Sequence, residues 1–263
     1  LLDVWHCAAP SVDFIAPDLY DDGFKGWAAQ YHLHNNPLFI PEIRHTQNNG
    51  VRAFYVFGEH NALGFSPFAI EDGSDEQGTP FVEGYEKLRE IMPLVTGWQG
   101  KDAMWGLLFD QNDKERIIED GSLVLTCRHN FTLPWDPRAT DGSVWPEGGG
   151  IIIRIAENEY VVAGNGIVVE FATASEKAFG KAAESLGEDG FASAGSKGTG
   201  TPGRKAWKGT RCGIGSVDEV KVNADGSFSY IRRLNGDQDH QGRHVRISVG
   251  DYKTLYVRLY EYQ

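Results

Sequence analysis

The sequence predicts two parts: the C-terminal part of a (β/α)₈ TIM barrel over residues 1–101, then an antiparallel β-sandwich over residues 102–263. In the first hundred residues, short apolar runs alternate with segments whose apolar residues recur every three or four positions. That alternation is typical of parallel strands joined by crossover helices. From about residue 103 the runs are short, rich in β-branched and aromatic residues, and separated by Gly, Asp, Asn and Pro turns. This second pattern is typical of antiparallel sheets.

The elements of the first part follow from these patterns in order. Strands are expected in the apolar runs, and amphipathic helices in the segments between them. The expected strands lie within residues 12–20, 37–44 and 62–70, and the expected helices within residues 24–32, 51–57 and 80–97. Three such units are too few to close a barrel of eight strands. We therefore interpret this part as the end of a longer barrel.

The second part contains nine runs with strand character. They span residues 104–109, 121–127, 150–155, 159–163, 166–172, 217–222, 227–232, 244–249 and 254–260. Asn165 and Gly166 stand between two of these runs, and Asn-Gly is the strongest short hairpin signal. Residues 184–203 are rich in Gly, Ser and Thr and are expected to form a long loop.

Composition narrows the classes of function. The chain has 37 acidic and 25 basic residues, a formal charge of −12, and no basic cluster, which argues against a nucleic-acid partner. Its apolar runs are too short to cross a bilayer, so no membrane partner is expected.

Three separated cysteines form neither a disulfide framework nor a metal motif, although one pair would suit an exported protein. The start Leu1-Leu2-Asp3 resembles neither an initiation site nor a signal peptide. Localisation is therefore left open, with periplasmic or secreted favoured over cytoplasmic.

Chemistry in a barrel takes place at the carboxyl ends of the strands, which selects Asp18 and Tyr20, then Glu42 and its successors, then the rim after Phe65. Glu42 ends an apolar strand and is either a solvated strand-end residue or a catalytic acid. Carboxylates beside phenol and amide groups suit glycoside hydrolysis, which uses a pair of them. Arg44 or a hydrogen bond from Tyr20 would keep Glu42 ionised. The expected substrate-binding residues are Tyr20, Arg44, His45 and Phe65, and neither a metal nor a cofactor is expected.

Three stretches resemble bacterial β-galactosidases related to glycoside hydrolase families 35 and 42, of clan A, which carry a β-domain of unassigned function. The stretches are Phe39-Ile40-Pro41-Glu42, the run over residues 57–68, and the run Arg-Leu-Asn-Gly-Asp-Gln-Asp-His-Gln-Gly-Arg-His over residues 233–244. The resemblance implies a retaining double displacement in which Glu42, at the end of barrel strand seven, is the nucleophile. It also implies that Tyr20 is a strand-six tyrosine that hydrogen-bonds the nucleophile.

The same resemblance implies an acid/base Glu at the end of strand four, which has no counterpart here. Glu59 and Glu71 are the nearby acids, and neither suits the role. The expected partners are a β-galactoside oligosaccharide or polysaccharide and an N-terminal barrel half that supplies the proton donor, with a homo-oligomer also possible. Two alternatives stay open. One is a carbohydrate-binding or structural β-module on remnant barrel scaffold, and the other is a clan A hydrolase for another sugar. Residues 233–244 are expected to form a turn satisfied by its own side chains, or a buttress for the barrel rim.

Overall fold

The computed structural model describes residues 2–70, 79–185, 209–239 and 242–263. It contains a three-stranded parallel sheet, a six-stranded antiparallel sheet and a four-stranded antiparallel sheet. The chain is thus a mixed α and β protein, with its parallel strands first and its antiparallel strands after them. The described residues form no closed barrel, because the parallel sheet has only three strands and two open edges.

The first part has the predicted alternation of strands and helices. Its elements are α1 (Leu2–Ala8), β1 (Asp18–Leu19), α2 (Phe24–Tyr31), β2 (Phe39–Ile43), α3 (Asn49–His60), β3 (Gly64–Pro67) and α4 (Thr79–Trp98). The strands lie in the order β1-β2-β3 and all pair in parallel. β1 is much shorter than predicted, since Pro17 directly before it has no N–H to donate to a ladder.

The second part is formed by two facing antiparallel sheets. The strands of the six-stranded sheet, in spatial order, are β11 (Phe228–Leu234), β10 (Arg211–Val222), β13 (Lys253–Tyr262), β8 (Glu159–Asn165), β7 (Gly148–Ala156) and β4 (Met104–Phe109). Those of the four-stranded sheet are β12 (Val245–Ile247), β9 (Ile167–Thr173), β6 (Leu123–His129) and β5 (Glu115–Asp120). Buried residues of both sheets form one cluster between them, which includes Leu125, Val169 and Val257.

The hairpin predicted at Asn165 and Gly166 is wrong. β8 belongs to the six-stranded sheet and β9 to the four-stranded sheet, so the Asn-Gly pair carries the chain from one sheet to the other. Gly166 has φ +71°, and its carbonyl accepts the N–H of Asn130 on the far side of the corner. The side chain of Asn165 accepts the N–H of Gly250. The dipeptide supplied the left-handed backbone that the signal implies, but long-range pairing decided which strands it joins.

Helix α1, strand β5 and helix α5 were missed by the sequence interpretation. β5 is largely charged and forms an edge of the four-stranded sheet, where only Ile118 is buried. Helix α5 (Ala174–Ser185) follows β9 directly. The loop predicted over residues 184–203 begins at the end of this helix, and residues 186–203 lie outside the described part.

Within residues 233–244, the described residues 236–239 and 242–243 form turns, and the side chain of Asp239 accepts the N–H of Gly242 at 3.2 Å, as expected for a turn bonded by its own side chains. The carbonyl of Asp239 accepts the N–H groups of Gly242, Arg243 and His244. His244 is buried and stacks on Trp135, with ring centroids 6.0 Å apart. Trp135 also belongs to the second part of the chain, so this stacking contact lies within that part. Residues 240 and 241 lie outside the described part.

Helix α3 joins the two parts. It packs beside the parallel sheet and also against β4 and β7, where Gly58 and Gly106 bring the backbones close together. A methyl group added at Gly106 would lie 2.3 Å from the carbonyl oxygen of Tyr55. One hydrophobic cluster therefore contains residues of both parts, from Ile40 in β2 to Ile151 in β7.

Candidate functional site

The parallel register of β1 and β2 brings two carboxylates and a phenol together at the carboxyl ends of these strands. Asp18 lies opposite Glu42, and Leu19 lies opposite Ile43. Tyr20, directly after β1, donates its hydroxyl hydrogen bond to Oε1 of Glu42. The carboxyl group of Glu42 is thus held by a neighbouring strand, as the sequence predicted for Tyr20.

The local sequence of β2 explains why Glu42 faces this edge. Ile40 and Ile43 are fully buried, whereas Glu42 between them is half-buried. Pairing of β2 with β3 is irregular between Ile40 and Ile43, and Pro41 in this interval has no N–H to donate. Such irregularities redirect a side chain and are frequent beside active sites.

The hydrogen bond to Glu42 changes the acidity of Tyr20. It is the main cause that raises the pKa of Tyr20 to about 12, with burial and the negative charge of Glu42 adding to it. Tyr20 therefore keeps its proton, and remains a donor to Glu42, throughout the neutral range. The guanidinium of Arg44 donates to the backbone carbonyl of Tyr20 and so fixes the segment that carries the phenol. Arg44 thus holds the backbone of Tyr20, and its expected effect on Glu42 stays a prediction.

His45 and Phe65 occupy different environments. Nδ1 of His45 lies 3.2 Å from the carbonyl oxygen of Phe68, and its ring packs edge-on against Phe81. His45 therefore belongs to the rim formed by β3. Phe65 is only 7% exposed and packs between the rings of Phe24 and Tyr85. The proposed substrate contact of Phe65 is corrected accordingly, because its ring belongs to the core and presents no face to a sugar.

Of the two acids considered above, Glu59 has its partners elsewhere. Glu59 is near the C-terminal end of α3, where it forms an ion pair with Arg116 and accepts the N–H of Gly106 at 3.2 Å. Those contacts attach α3 to the sandwich, away from the strand ends that carry Glu42. Glu71 lies outside the described residues.

A cleft of about 360 Å³ adjoins the site and separates the loop after β1 from the sandwich. Tyr20 and Arg44 border the cleft on one side, and Asp110 and Glu147 of the sandwich border it on the other. Glu147 accepts two hydrogen bonds of 2.7 Å from Arg52 of α3. The sandwich therefore contributes part of the surface next to Glu42.

Two histidines beside the parallel sheet contact each other. Nδ1 of His32 lies 3.0 Å from Nδ1 of His60, and the ring of His60 also packs on Tyr55. In the part of the chain that the structure describes, no group of three or more His, Cys, Asp or Glu side chains has a geometry suited to a metal ion.

Among the helices of the described residues, none is both long and apolar enough to cross a bilayer.

His60 is expected to make the fold less stable in mild acid. Burial, followed by the charge of His32, lowers the pKa of His60 to about 4. Smaller effects on this pKa come from Glu59, which raises it, and from Arg116, which lowers it. A histidine in the unfolded chain has a pKa near 6.5. Above pH 6.5 both states are neutral at this residue. Below that pH only the unfolded chain gains the proton, until the folded state follows near pH 4. Stability should therefore fall by about 2 kcal/mol between pH 7 and 4.5 through this residue.

Urea unfolding at pH 7 and pH 4.5 measures this effect. His60→Asn should lose less stability between the two pH values than the native chain, by about 2 kcal/mol. The control is His34→Asn, because His34 is exposed and its replacement should leave the pH dependence unchanged. Equal losses in the native chain and in His60→Asn would contradict the assignment.

Comparison with known families gives one match. A family model described as a domain of unknown function, DUF5597, matches residues 81–246, which is more than half of the chain. The chain belongs to this family. The DUF5597 match begins inside α4 and extends through the sandwich to β12, so Glu42 and Tyr20 precede it. Comparison with curated proteins gave no match.

Proposed function

We propose that this DUF5597 chain is the nucleophile-bearing part of a retaining glycoside hydrolase that cleaves terminal β-galactosides, with its parallel strands being the sixth to eighth of a (β/α)₈ barrel. The observation that carries the proposal is the hydrogen bond from Tyr20 to Glu42 at the carboxyl ends of adjacent parallel strands. A resemblance in three separate stretches supports the same assignment, and one of these stretches contains Glu42 itself.

In the proposed mechanism, Glu42 attacks the anomeric carbon and forms a covalent glycosyl ester, which water then hydrolyses. The phenol of Tyr20 stays protonated at neutral pH and orients the attacking carboxylate. Arg44 holds the backbone of Tyr20 in place. His45 lies at the next rim, where a further sugar contact is expected.

A second carboxyl group must protonate the leaving oxygen and later activate water. In retaining enzymes it lies about 5 Å from the nucleophile. Glu59 is engaged with Arg116, which leaves it unsuited to this role. We assign the proton donor to a polypeptide outside residues 1–263, either a segment of the same reading frame or a separate chain. Residues 1–263 alone are therefore expected to be inactive.

The test uses the full polypeptide encoded by the reading frame that contains residues 1–263. Hydrolysis of a chromogenic nitrophenyl β-galactoside should be detected, and NMR should show β-galactose as the first product, since double displacement retains the configuration. The matching β-glucoside and α-arabinoside, run in parallel, test the alternative sugar specificities. Release of α-galactose first, or no hydrolysis of any of the three substrates, would reject the proposal.

A further inference from the structure

The outer face of strand β13 carries a row of aromatic side chains near the C-terminus. Leu255, Val257 and Leu259 point into the core between the two sheets. Because side chains alternate along a strand, the residues between them and after them face away from this core. They include Tyr256, Arg258, Tyr260 and Tyr262, whereas Thr254 before them is buried. From Tyr256 to Tyr262 this face measures about 20 Å, and helices α3 and α4 cover other parts of the same sheet.

Two of these rings lie side by side and are open to solvent. The tyrosine platform, defined as Tyr260 and Tyr262, has ring centroids 5.5 Å apart and ring planes inclined by 33°. Tyr260 is 50% exposed and Tyr262 is 42% exposed. Each ring therefore presents apolar area on which the ring of a ligand can stack.

The neighbouring strand β10 explains why the ring of Tyr260 lies against the surface of the sheet. Gly213 is its cross-strand partner in β10, and a methyl group added there would lie 2.5 Å from Cζ of the ring. Gly215 lies under the same ring, with 3.4 Å between its added methyl position and Cδ1. The absence of side chains at both positions lets one face of the ring rest on the sheet while the other face stays free.

A fixed polar group adjoins the tyrosine platform on the same face. Nε of Arg258 donates to the hydroxyl of Ser216 at 2.8 Å, and Nη2 donates to the buried carboxylate of Asp218 at 2.9 Å. The side chain of Arg258 is nevertheless 45% exposed. The guanidinium lies over the ring of Tyr256, with 5.4 Å between its central carbon and the ring centroid. Its remaining N–H groups are therefore held in position on the strand that carries Tyr260 and can donate to hydroxyl groups of a ligand.

We propose that the tyrosine platform and Arg258 form a surface site for a neutral, extended β-galactan chain, separate from Glu42. The apolar C–H face of a galactopyranose ring stacks on a flat aromatic ring, and its hydroxyl groups accept from a guanidinium. The elongated face suits several sugar units rather than one. The choice of galactan rests on the proposed function, because a surface site of this kind keeps the polymer near the enzyme that cleaves it.

Affinity electrophoresis in gels containing soluble β-1,4-galactan tests the site on the full polypeptide carrying Glu42→Gln, in which binding is observed without turnover. Tyr260→Leu and Tyr262→Leu should each weaken binding at least fivefold. Tyr260→Phe, which keeps the ring, should bind normally. The control is Tyr230→Leu, since Tyr230 is 65% exposed on the edge strand β11, opposite Val220 of β10 and seven residues along β10 from Gly213, the partner of Tyr260, and should not affect binding.

The leucine variants distinguish binding from structure. Leucine at position 260 still covers Gly213, so its melting temperature should stay close to that of the Phe variant while binding is lost. Unchanged binding in the Tyr260→Leu/Tyr262→Leu chain would overturn the proposal. Retardation by polygalacturonate alone, or no retardation by galactan, would overturn it as well. A protein that binds galactan but hydrolyses no galactoside would reject the enzymatic proposal and leave this site in place.

Discussion

Replacing Glu42 by Gln in the full polypeptide is expected to lower the turnover of a β-galactoside by about 10⁴-fold or more, since the variant has no nucleophile for the first displacement. The side chain is half-buried at a strand end, and Gln still accepts the hydrogen bond from Tyr20, so melting should hardly change. Initial rates at saturating substrate, measured beside thermal unfolding, test both expectations.

Asp18→Asn is the matched control. Asp18 is the register partner of Glu42 on β1 and carries the same functional group, yet it is not assigned to attack. This variant should keep most of the activity. Azide supplies a second readout, because in Glu42→Ala it can attack the anomeric carbon in place of the carboxylate, and α-galactosyl azide is the expected product. Full activity in Glu42→Gln would show that Glu42 is not the nucleophile. The same conclusion would follow if Glu42→Ala consumed the galactoside in the presence of azide without forming a galactosyl azide.

Gly106→Ala is expected to destabilise the fold by about 3 kcal/mol, the upper part of the range for an overpacked core. The added methyl group would meet the backbone of α3 at Tyr55 and Glu59, at 2.3 and 2.7 Å. Backbone atoms in a helix cannot move aside as a flexible side chain does. The helix itself must shift from the sheet, which also disturbs the hydrogen bond from Gly106 to Glu59. The midpoint of urea unfolding measures the loss.

Gly97→Ala provides the comparison for this substitution. Gly97 lies in α4, is exposed, and has open space where the methyl group would be. Alanine there should raise stability by about 0.5–1 kcal/mol, because glycine is unfavourable inside a helix. If Gly106→Ala unfolded at the same urea concentration as the native chain, the close packing of α3 on β4 would be wrong.

The adjacency of Tyr20 and Glu42 was predictable because it depends on local signals and one general rule. Each residue follows a short apolar run, and the carboxyl ends of parallel strands meet at one edge. The strand patterns of the second part were predictable for a similar reason. Val257 and its neighbours alternate with polar or aromatic residues, so the inward face of β13 can be recognised without a partner strand.

The remaining features depend on contacts between distant residues. Phe65 was expected to contact substrate because it stands at a strand end, but packing against Phe24 and Tyr85 places its ring in the core. Asn165 and Gly166 indicate a turn, and nothing local indicates that the two flanking strands belong to different sheets. For the tyrosine platform, the sequence indicates only that Tyr260 and Tyr262 share one face of β13. The position of the Tyr260 ring on the sheet depends on Gly213 in β10.

The shared hydrophobic cluster around α3 also bears on how such chains evolve. A sandwich that packs against the first part through backbone contact at Gly58 and Gly106 is poorly suited to exchange between proteins as a detachable module. A substitution on the buried face of α3 must be compensated in β4 or β7. The two parts are therefore expected to be inherited together, and a lineage that retains the sandwich should also retain helix α3.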